Sequence, residues 1–405
     1  MRLEYTPEQE QLRDEIRATM EQVMTPERQA AVRERIEGGP AVRECVRALA
    51  AANLLGVGWP KEFGGQGFSA IEQFIFAEEA RRLNAPIPLV TLNTVGPTLM
   101  QFGTEEQKQT FLPAILDGTV EFAIGYSEPE AGSDLASLRT TAVRDGSGPD
   151  ADYVVNGQKM FTSGAAYADY IWLAARTDPN AKKHKGISIF IVPTSSPGFS
   201  WQPLHTMPGI STFYTFYDNV RVPASAIVAG ENQGWQLITT QLNFERAALG
   251  NLSALEPLFE QTLQWAISTR LDSGRVIDQP WVQFTLARVE AQVAAYKLMN
   301  LRVNAAMTQG VLNMGEASAV KVFGTELTQQ VAGELLEVLD HNGLRRGADA
   351  PLRGALESAY RVAVISTFGG GANEIQRDII AMAGLGMPRA PRDLRATDKS
   401  GGSTQ

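Results

Sequence analysis

The sequence predicts a mainly α-helical protein with a central β domain. Residues 1 to about 118 carry apolar side chains at helical spacing. From about 119 to 228 the chain breaks into short runs rich in β-branched and aromatic residues, and from about 229 the helical spacing returns. We therefore expect an N-terminal helical domain (1–118), a middle β-sandwich or barrel (119–228) and a C-terminal helical domain (229–405).

The first domain shows helix-start signals at three places. Thr6 is followed by Pro7, which suits the first position of a helix. Ser69 and Thr104 each precede a run with helical apolar spacing. Their hydroxyl groups can accept hydrogen bonds from the first free backbone N–H groups, so we predict that all three threonine or serine residues are N-caps.

In the middle domain, short β-prone runs separated by Gly, Pro, Asn and Asp predict several short strands. Residues 145–151, DGSGPDA, are predicted to be an exposed connection between two of them. The predicted strands lie in the runs VEFAIGYS, TTAVRDG, DYVVNGQKMF, YIWLAART, GISIFIVP and FYTFYDNVRVP.

Apolar residues at helical spacing predict helices in three long stretches of the last domain. Residues 396–405 are predicted to form a loose tail. The helical stretches are WQLITTQLNFERAALGNLSALEPLFEQTLQWAIS, QFTLARVEAQVAAYKLMNLRVNAAM and ASAVKVFGTELTQQVAGELLEVL.

Composition excludes several classes of function. Cys45 is the single cysteine among 405 residues, so a disulfide framework is excluded, and the three histidines are scattered, which disfavours a metal site. The net charge of −9 disfavours nucleic acid as a partner. The charged amino terminus is unlike a signal peptide, and no apolar run approaches the length of a membrane span. We expect a soluble, cytoplasmic protein that has no membrane partner.

Common catalytic and nucleotide motifs are absent from the sequence. It contains no G-x-x-x-x-G-K-[ST], no G-x-S-x-G and no H-E-x-x-H. No G-x-G-x-x-G opens a helix after a predicted strand, so a nucleotide cofactor would not bind in a Rossmann crevice.

Two polar stretches of the middle domain suit a flat ligand. Residues 124–142, IGYSEPEAGSDLASLRTTA, combine small residues, hydroxyls and acids in a turn. In residues 156–174, Phe161 is followed by Thr162 and Ser163, so that an aromatic wall lies beside two hydroxyl groups. Such residues can hold and hydrogen-bond a heterocycle, and we predict that they bind a cofactor.

With the glycine-rich stretch TFGGGANEIQRDIIA at 367–381, these motifs resemble the acyl-CoA dehydrogenase family over nearly the whole chain. YSEPEAGSD is similar to the family's first signature and GGGANEIQRDIIA to its second. The resemblance implies helices, a β domain and a C-terminal four-helix bundle. It also implies FAD, an acyl-CoA substrate and α,β-desaturation. A base removes the α-proton, the β-hydride passes to flavin N5, and an electron-transferring flavoprotein takes the electrons.

Positions within the motifs assign cofactor contacts. By the resemblance, Tyr126, Ser127 and Ser133 line the flavin or the CoA entrance. Phe161 replaces the family's usual Trp beside the flavin, and Ser163 replaces the Thr that bonds near N5.

The catalytic base is missing from its usual place in the glycine-rich loop. Many members carry Glu where this chain has Gly370, and Glu374 belongs to the EIQR part, where it is expected to start a helix. Gly370 keeps a backbone N–H that can serve the thioester oxygen, and its missing side chain widens the pocket. Gly370 and Gly371 let the backbone approach the flavin and the thioester.

A helix in the last domain offers a replacement for the missing base. QLNFERAALG (241–250) is similar to the helix that carries the base in the isovaleryl branch of the family, where Glu precedes Arg. The resemblance makes Glu245 the base and places Arg246 beside it. Burial next to apolar walls would raise the pKa of such a carboxylate toward neutrality, as α-proton abstraction requires.

The segments that homotetrameric members lend to a neighbour's FAD are altered. Arg270 is kept, but Ser273 stands where Phe is expected. Residues 335–351 lack the expected Gln and paired glycines and contain Asp340. The pattern resembles the base-bearing subunit of actinobacterial α2β2 dehydrogenases that act on steroid side-chain CoA thioesters, which implies a paralogous partner subunit.

Two alternatives remain open at this point. An acyl-CoA oxidase or a flavin monooxygenase on the same fold would react with O₂. A non-catalytic structural subunit would leave the chemistry to its paralogue.

Overall fold

The computed structural model describes residues 4–34, 38–148, 150–248, 255–272 and 274–389. The side chains of residues 33, 34 and 242–248 are outside this description. The predicted tail at 396–405 lies outside the described residues.

Six α-helices lie in the described residues of the first part of the chain. Thr6, Ser69 and Thr104 are N-caps as predicted, and each shares a capping box with the third helical residue. A π-helical turn, Val90–Val95, leads directly into the fifth helix. The helices are α1 (Pro7–Val23), α2 (Pro26–Glu34), α3 (Pro40–Ala51), α4 (Ala70–Arg82), α5 (Gly96–Phe102) and α6 (Glu105–Leu116).

In the middle part, the described residues form one sheet of eight strands. Its order is β6-β7-β3-β2-β4-β5-β8, and β1 pairs in parallel with β4. The six predicted strands are present, and β6 and β8 were not predicted. The strands are β1 (Phe122–Gly125), β2 (Thr141–Arg144), β3 (Tyr153–Lys159), β4 (Tyr170–Arg176), β5 (Ile187–Pro193), β6 (Phe199–His205), β7 (Ser211–Val222) and β8 (Ile227–Val228).

The described residues of the last part are helical apart from one short hairpin and the connecting turns. The first predicted helical stretch contains two described helices, α7 and α8, and residues 249–254 between them are outside the described part. α10 packs against α7, α9, α11 and α12 and is the central helix of this region. The elements are α7 (Gly234–Ala248), α8 (Leu255–Ser268), β9 (Arg270–Leu271), β10 (Gly274–Arg275), α9 (Pro280–Thr308), α10 (Met314–Val338), α11 (Ala355–Ser366) and α12 (Asn373–Ile379).

The sheet is buried on both faces where it supports the site. Trp172 of β4 points into a core shared with the N-terminal helices and α7, whereas Leu173 joins a core on the opposite face. Alternation of side chains along a strand places these neighbours on opposite faces. β4 therefore links the first motif, in the sheet, to the helix that carries Glu245. No helix of the described chain is long and apolar enough to cross a membrane.

Candidate active site

A buried ion pair shapes the first motif. Glu128 is 7% exposed, and its carboxylate accepts hydrogen bonds from Nζ of Lys159 (2.7 Å) and from the backbone N–H groups of Arg139 (2.6 Å) and Thr140 (2.9 Å). Burial alone would raise the pKa of Glu128, but Lys159 and these donors hold it below its usual value. Nζ of Lys159 also donates to the carbonyl oxygen of Tyr126 at 3.1 Å. The pair therefore ties the turn after β1 to the end of β3.

Burial lowers the pKa of Lys159 to about 8, and attraction to Glu128 opposes that shift. The ammonium group therefore remains mostly protonated at neutral pH. The pair stays charged, as its hydrogen-bond geometry requires.

Phe161 is held in an exposed, strained conformation. Its backbone φ is +59°, in the left-handed region, and its side chain is 55% exposed. The next residue anchors it, because the N–H of Thr162 donates to the carbonyl oxygen of Phe213 at 3.0 Å and its hydroxyl lies 3.3 Å from that of Thr215. A non-glycine residue in this region costs about 1–3 kcal/mol, and such strain clusters at functional sites. An aromatic face is thus presented at the surface beside the exposed Ser163.

The two polar stretches lie side by side. The N–H of Met160 donates to the carbonyl oxygen of Ser127 at 2.9 Å. Ser127 is half-buried, whereas Ser133 is exposed. A Cβ atom added at Gly132 or Gly164 would meet no atom within 4 Å, so there is open space beside both stretches. An exposed ring with adjacent hydroxyls, backbone amides and open space fits the flat isoalloxazine ring of a flavin.

Tyr126 connects this region to α7. Its phenol donates to Oε1 of Gln241, and Nε1 of Trp172 donates to the phenol oxygen at 3.1 Å. Gln241 is 1% exposed, and its Nε2 has no hydrogen-bond acceptor among the described residues. Sequence reasoning missed Gln241, although it precedes Glu245 by four residues and therefore lies on the same face of α7.

Glu245 and Arg246 lie in the last turn of α7, and their side chains are outside the described part. The helix packs against β5, against the π-helical turn Val90–Val95 and against α10. Of the 15 residues of α7, Glu245 is the single acid. The base assignment therefore stays a prediction.

The glycine loop, residues 369–371, joins α11 to α12. Gly370 and Gly371 have φ values of +65° and +102°, which glycine adopts most readily. A Cβ atom at Gly371 would lie 2.7 Å from Nε2 of Gln376, which is 1% exposed. Glu374 lies in the first turn of α12 and is exposed, which confirms the prediction that it starts the helix.

A buried lysine that the sequence did not reveal contacts the loop. Nζ of Lys321, on α10, donates to the carbonyl oxygen of Gly371 (2.7 Å), to Oδ1 of Asn373 (2.8 Å) and to the carbonyl oxygen of Thr367 (3.4 Å). Because α10 also packs against α7, one helix supports both the loop and the helix of Glu245.

Arg270 is exposed on the β9–β10 hairpin, opposite Arg275. Ser273 lies outside the described residues. The hairpin and the nearby start of α9 expose the apolar side chains Leu271, Trp281 and Phe284. Within the described ranges, no group of three His, Cys, Asp or Glu residues could hold a metal ion.

Comparison with known protein families gives three consecutive matches. The N-terminal, middle and C-terminal domain models of acyl-CoA dehydrogenases match residues 6–119, 123–220 and 232–385, respectively.

Individual relatives match over almost their full lengths. The acyl-CoA dehydrogenases FadE26 and FadE29 of Mycobacterium tuberculosis are 50% and 48% identical to this chain, over 97% of it and 100% of each relative. The crystal structure of the ChsE4-ChsE5 complex from M. tuberculosis matches with a TM-score of 0.89 and 50% identity, covering 96% of this chain and 100% of that one. The structure described as the Tcur3481-Tcur3483 steroid ACAD matches with a TM-score of 0.90 and 48% identity over the same shares.

Proposed function

Because the chain belongs to the acyl-CoA dehydrogenase family and is an enzyme of that class, we propose that it desaturates an acyl-CoA thioester between Cα and Cβ with Glu245 as the base. One observation carries the proposal. The loop between α11 and α12 holds Gly370 at φ +65° and contains no acid, whereas α7 contains Glu245 as its single acid. Both elements pack against α10.

The chain's own residues have two tasks in this reaction. Glu245 takes the α-proton, which general-base catalysis by a carboxylate can accelerate by about 10²–10⁴. The backbone N–H of Gly370 donates to the thioester oxygen, where negative charge develops as the proton leaves. Because a backbone N–H is already oriented, this stabilisation needs no reorganisation at the moment of reaction. Arg246 lies beside the base on α7.

FAD is the proposed cofactor. The exposed Phe161 ring, with Ser163, Ser127 and the open space beside Gly132, forms the surface that would hold it. Thr162 is buried and anchors this surface through Phe213 and Thr215. Tyr126, whose phenol donates to Gln241 of α7, Ser133 and Gly371 are proposed contacts at its edges. The chemistry that FAD supplies when bound is acceptance of the β-hydride.

The substrate class is proposed to be a bulky acyl group, such as a steroid side chain attached to CoA. The support is the absence of a side chain at Gly370 and the similarity to a structure described as a steroid ACAD. A glycine at this position leaves room that the usual glutamate would fill.

A paralogous subunit is the proposed partner, in an α2β2 assembly. Two of the most similar structures are complexes of two differently named chains. The hairpin of Arg270 exposes Leu271, and Trp281 and Phe284 are exposed nearby, which suits contact with another chain. An electron-transferring flavoprotein is the proposed acceptor of the electrons.

The test is co-expression with the adjacent paralogue, followed by measurement of FAD content and a screen of acyl-CoA thioesters from short fatty acyl to steroid side-chain acyl. We expect turnover to fall by about 10²–10⁴ in Glu245→Gln. Glu374→Gln, which changes the exposed acid of α12, should keep it. Wild-type turnover in the assembled Glu245→Gln variant would refute the base assignment.

Two further measurements test the heteromeric assembly and distinguish a dehydrogenase from an oxidase or monooxygenase. Stoichiometric FAD in the purified single chain would count against the heteromer. Rapid reoxidation of the substrate-reduced flavin in air, followed by stopped flow, would show an oxidase or a monooxygenase instead of a dehydrogenase.

A further inference from the structure

Lys321 is buried at the centre of the helical region and faces the glycine loop. It is 8% exposed, and its three hydrogen-bond acceptors given above come from residues before, within and after the loop. An ammonium group has three N–H donors and no acceptor, so it can serve all three oxygens at once. Lysine is almost never buried to this degree without strong partners, because removing its charge from water is costly.

The surrounding bonds make the lysine part of a connected network. Nδ2 of Asn373 donates to Oγ1 of Thr325 and to Oε1 of Glu326, each at 3.1 Å. The carboxylate of Glu326 therefore reaches the lysine through the amide of Asn373. Such a network specifies one arrangement of its members when every donor is satisfied.

The glycine loop needs an external constraint of this kind. Glycine has the largest choice of backbone conformations, so a run of three loses the most entropy when it is ordered. The N–H of Asn373 closes the loop by donating to the carbonyl oxygen of Thr367 at 2.8 Å. Lys321 bonds to backbone oxygens on both sides of Gly370, at Thr367 and at Gly371. The peptide group that carries the Gly370 N–H thus lies between two backbone carbonyl groups that are held by hydrogen bonds to Lys321.

We propose that Lys321 is a positioning residue, whose buried ammonium holds the glycine loop in the conformation that presents the Gly370 N–H to the thioester oxygen. The inference rests on the proposed function and adds to it the group that aligns the oxyanion donor. Lys321 acts through the loop backbone, to which it donates at Thr367 and Gly371.

The test compares Lys321→Met with wild type in the FAD-loaded complex with the paralogue. Gln329→Leu is the matched control, because Gln329 lies on the same helix and contacts Ala363 and Thr367 without reaching the glycines. Loss of one oxyanion donor costs about 10²–10³ in kcat. Misalignment of that donor in Lys321→Met should lower kcat by about tenfold or more, with KM changed less than about twofold.

A spectroscopic reading separates alignment from general packing. The C=O stretch of an acyl-CoA labelled with ¹³C at the thioester carbon shifts to lower frequency when the oxygen accepts a hydrogen bond. We expect wild type and Gln329→Leu to show that shift and Lys321→Met to lose much of it. Wild-type kcat together with a wild-type carbonyl frequency in Lys321→Met would overturn the proposal.

Two provisions keep the test decisive. If Lys321→Met does not fold, the same measurements on Lys321→Gln decide, because this variant removes the charge and shortens the donor's reach without placing an apolar group against the carbonyl oxygens. Amide hydrogen exchange at Asn373 gives a reading that needs no turnover. Exchange should be faster in the lysine variants. Unchanged protection would overturn the proposal that Lys321 holds the glycine loop, even if no acyl-CoA is desaturated. Failure of the proposed function would instead show as absent turnover in wild type.

Discussion

Replacing Gly371 with alanine should destabilise the protein and impair its active site at the same time. The residue has φ +102°, and a left-handed conformation costs an L-residue about 1–2 kcal/mol. The new methyl group would lie 2.7 Å from Nε2 of Gln376, so the end of that buried side chain must shift. Because this atom ends a flexible side chain, the cost falls at the low end of the range for overpacking, about 1 kcal/mol. The free energy of unfolding should therefore fall by about 2–3 kcal/mol.

Gly347 provides a matched control, because it has a similar φ of +95° and no atom lies within 4 Å of an added Cβ. Gly347→Ala carries the backbone strain alone and should cost about 1–2 kcal/mol. Urea unfolding of both variants measures the difference, and steady-state turnover of the assembled enzyme shows that only Gly371→Ala lowers kcat. Equal stability of the two variants, with wild-type kcat in both, would refute the steric reasoning.

Three shorter predictions follow from the buried network of the first motif. Lys159→Met leaves Glu128 charged and without its cation, so the free energy of unfolding, measured in urea, should fall by about 3–5 kcal/mol. The double variant with Glu128→Gln should lose less stability than the sum of the two single variants. The pKa of Glu128 is lower in the folded than in the unfolded state. Its contribution to the free energy of unfolding is therefore complete above the unfolded pKa of about 4.3 and is lost as pH falls through the folded pKa. The free energy of unfolding, measured as a function of pH in the acid range, should show this loss in wild type and a flatter curve in Glu128→Gln. Tyr126→Phe removes the phenol shared by Gln241 and Trp172 and should cost about 1–3 kcal/mol, while a variant with wild-type stability would show that the two buried groups find other partners.

Local patterns were enough to place most helices and strands. The caps at Thr6, Ser69 and Thr104 depend on residues three positions apart, so the local sequence is enough to predict them. β6 was missed because it is an edge strand that contains Pro203 and is mostly exposed, which removes both the apolar alternation and the usual composition of a strand. β8 has two residues, too few for any periodic signal.

The candidate site was only partly visible in the sequence. Tyr126, Phe161, Ser163 and the glycine loop stand in motifs that the resemblance assigns. Gln241 and Lys321 lie in long helical stretches, where a lone polar residue usually faces water. Nothing local distinguishes them, because their partners are more than 40 residues away in the chain.

The sequence by itself determined the order of helical and β regions, the family, and the loss of an acid from the loop of Gly370. Those features reside in composition, short-range spacing and the identity of single residues. The tertiary structure decided that Phe161 is exposed under strain, that Tyr126 is turned toward α7, and that Lys321 brackets the glycine loop. These depend on burial and on hydrogen bonds between distant segments, which exist only once α10, the sheet and the loop have packed together.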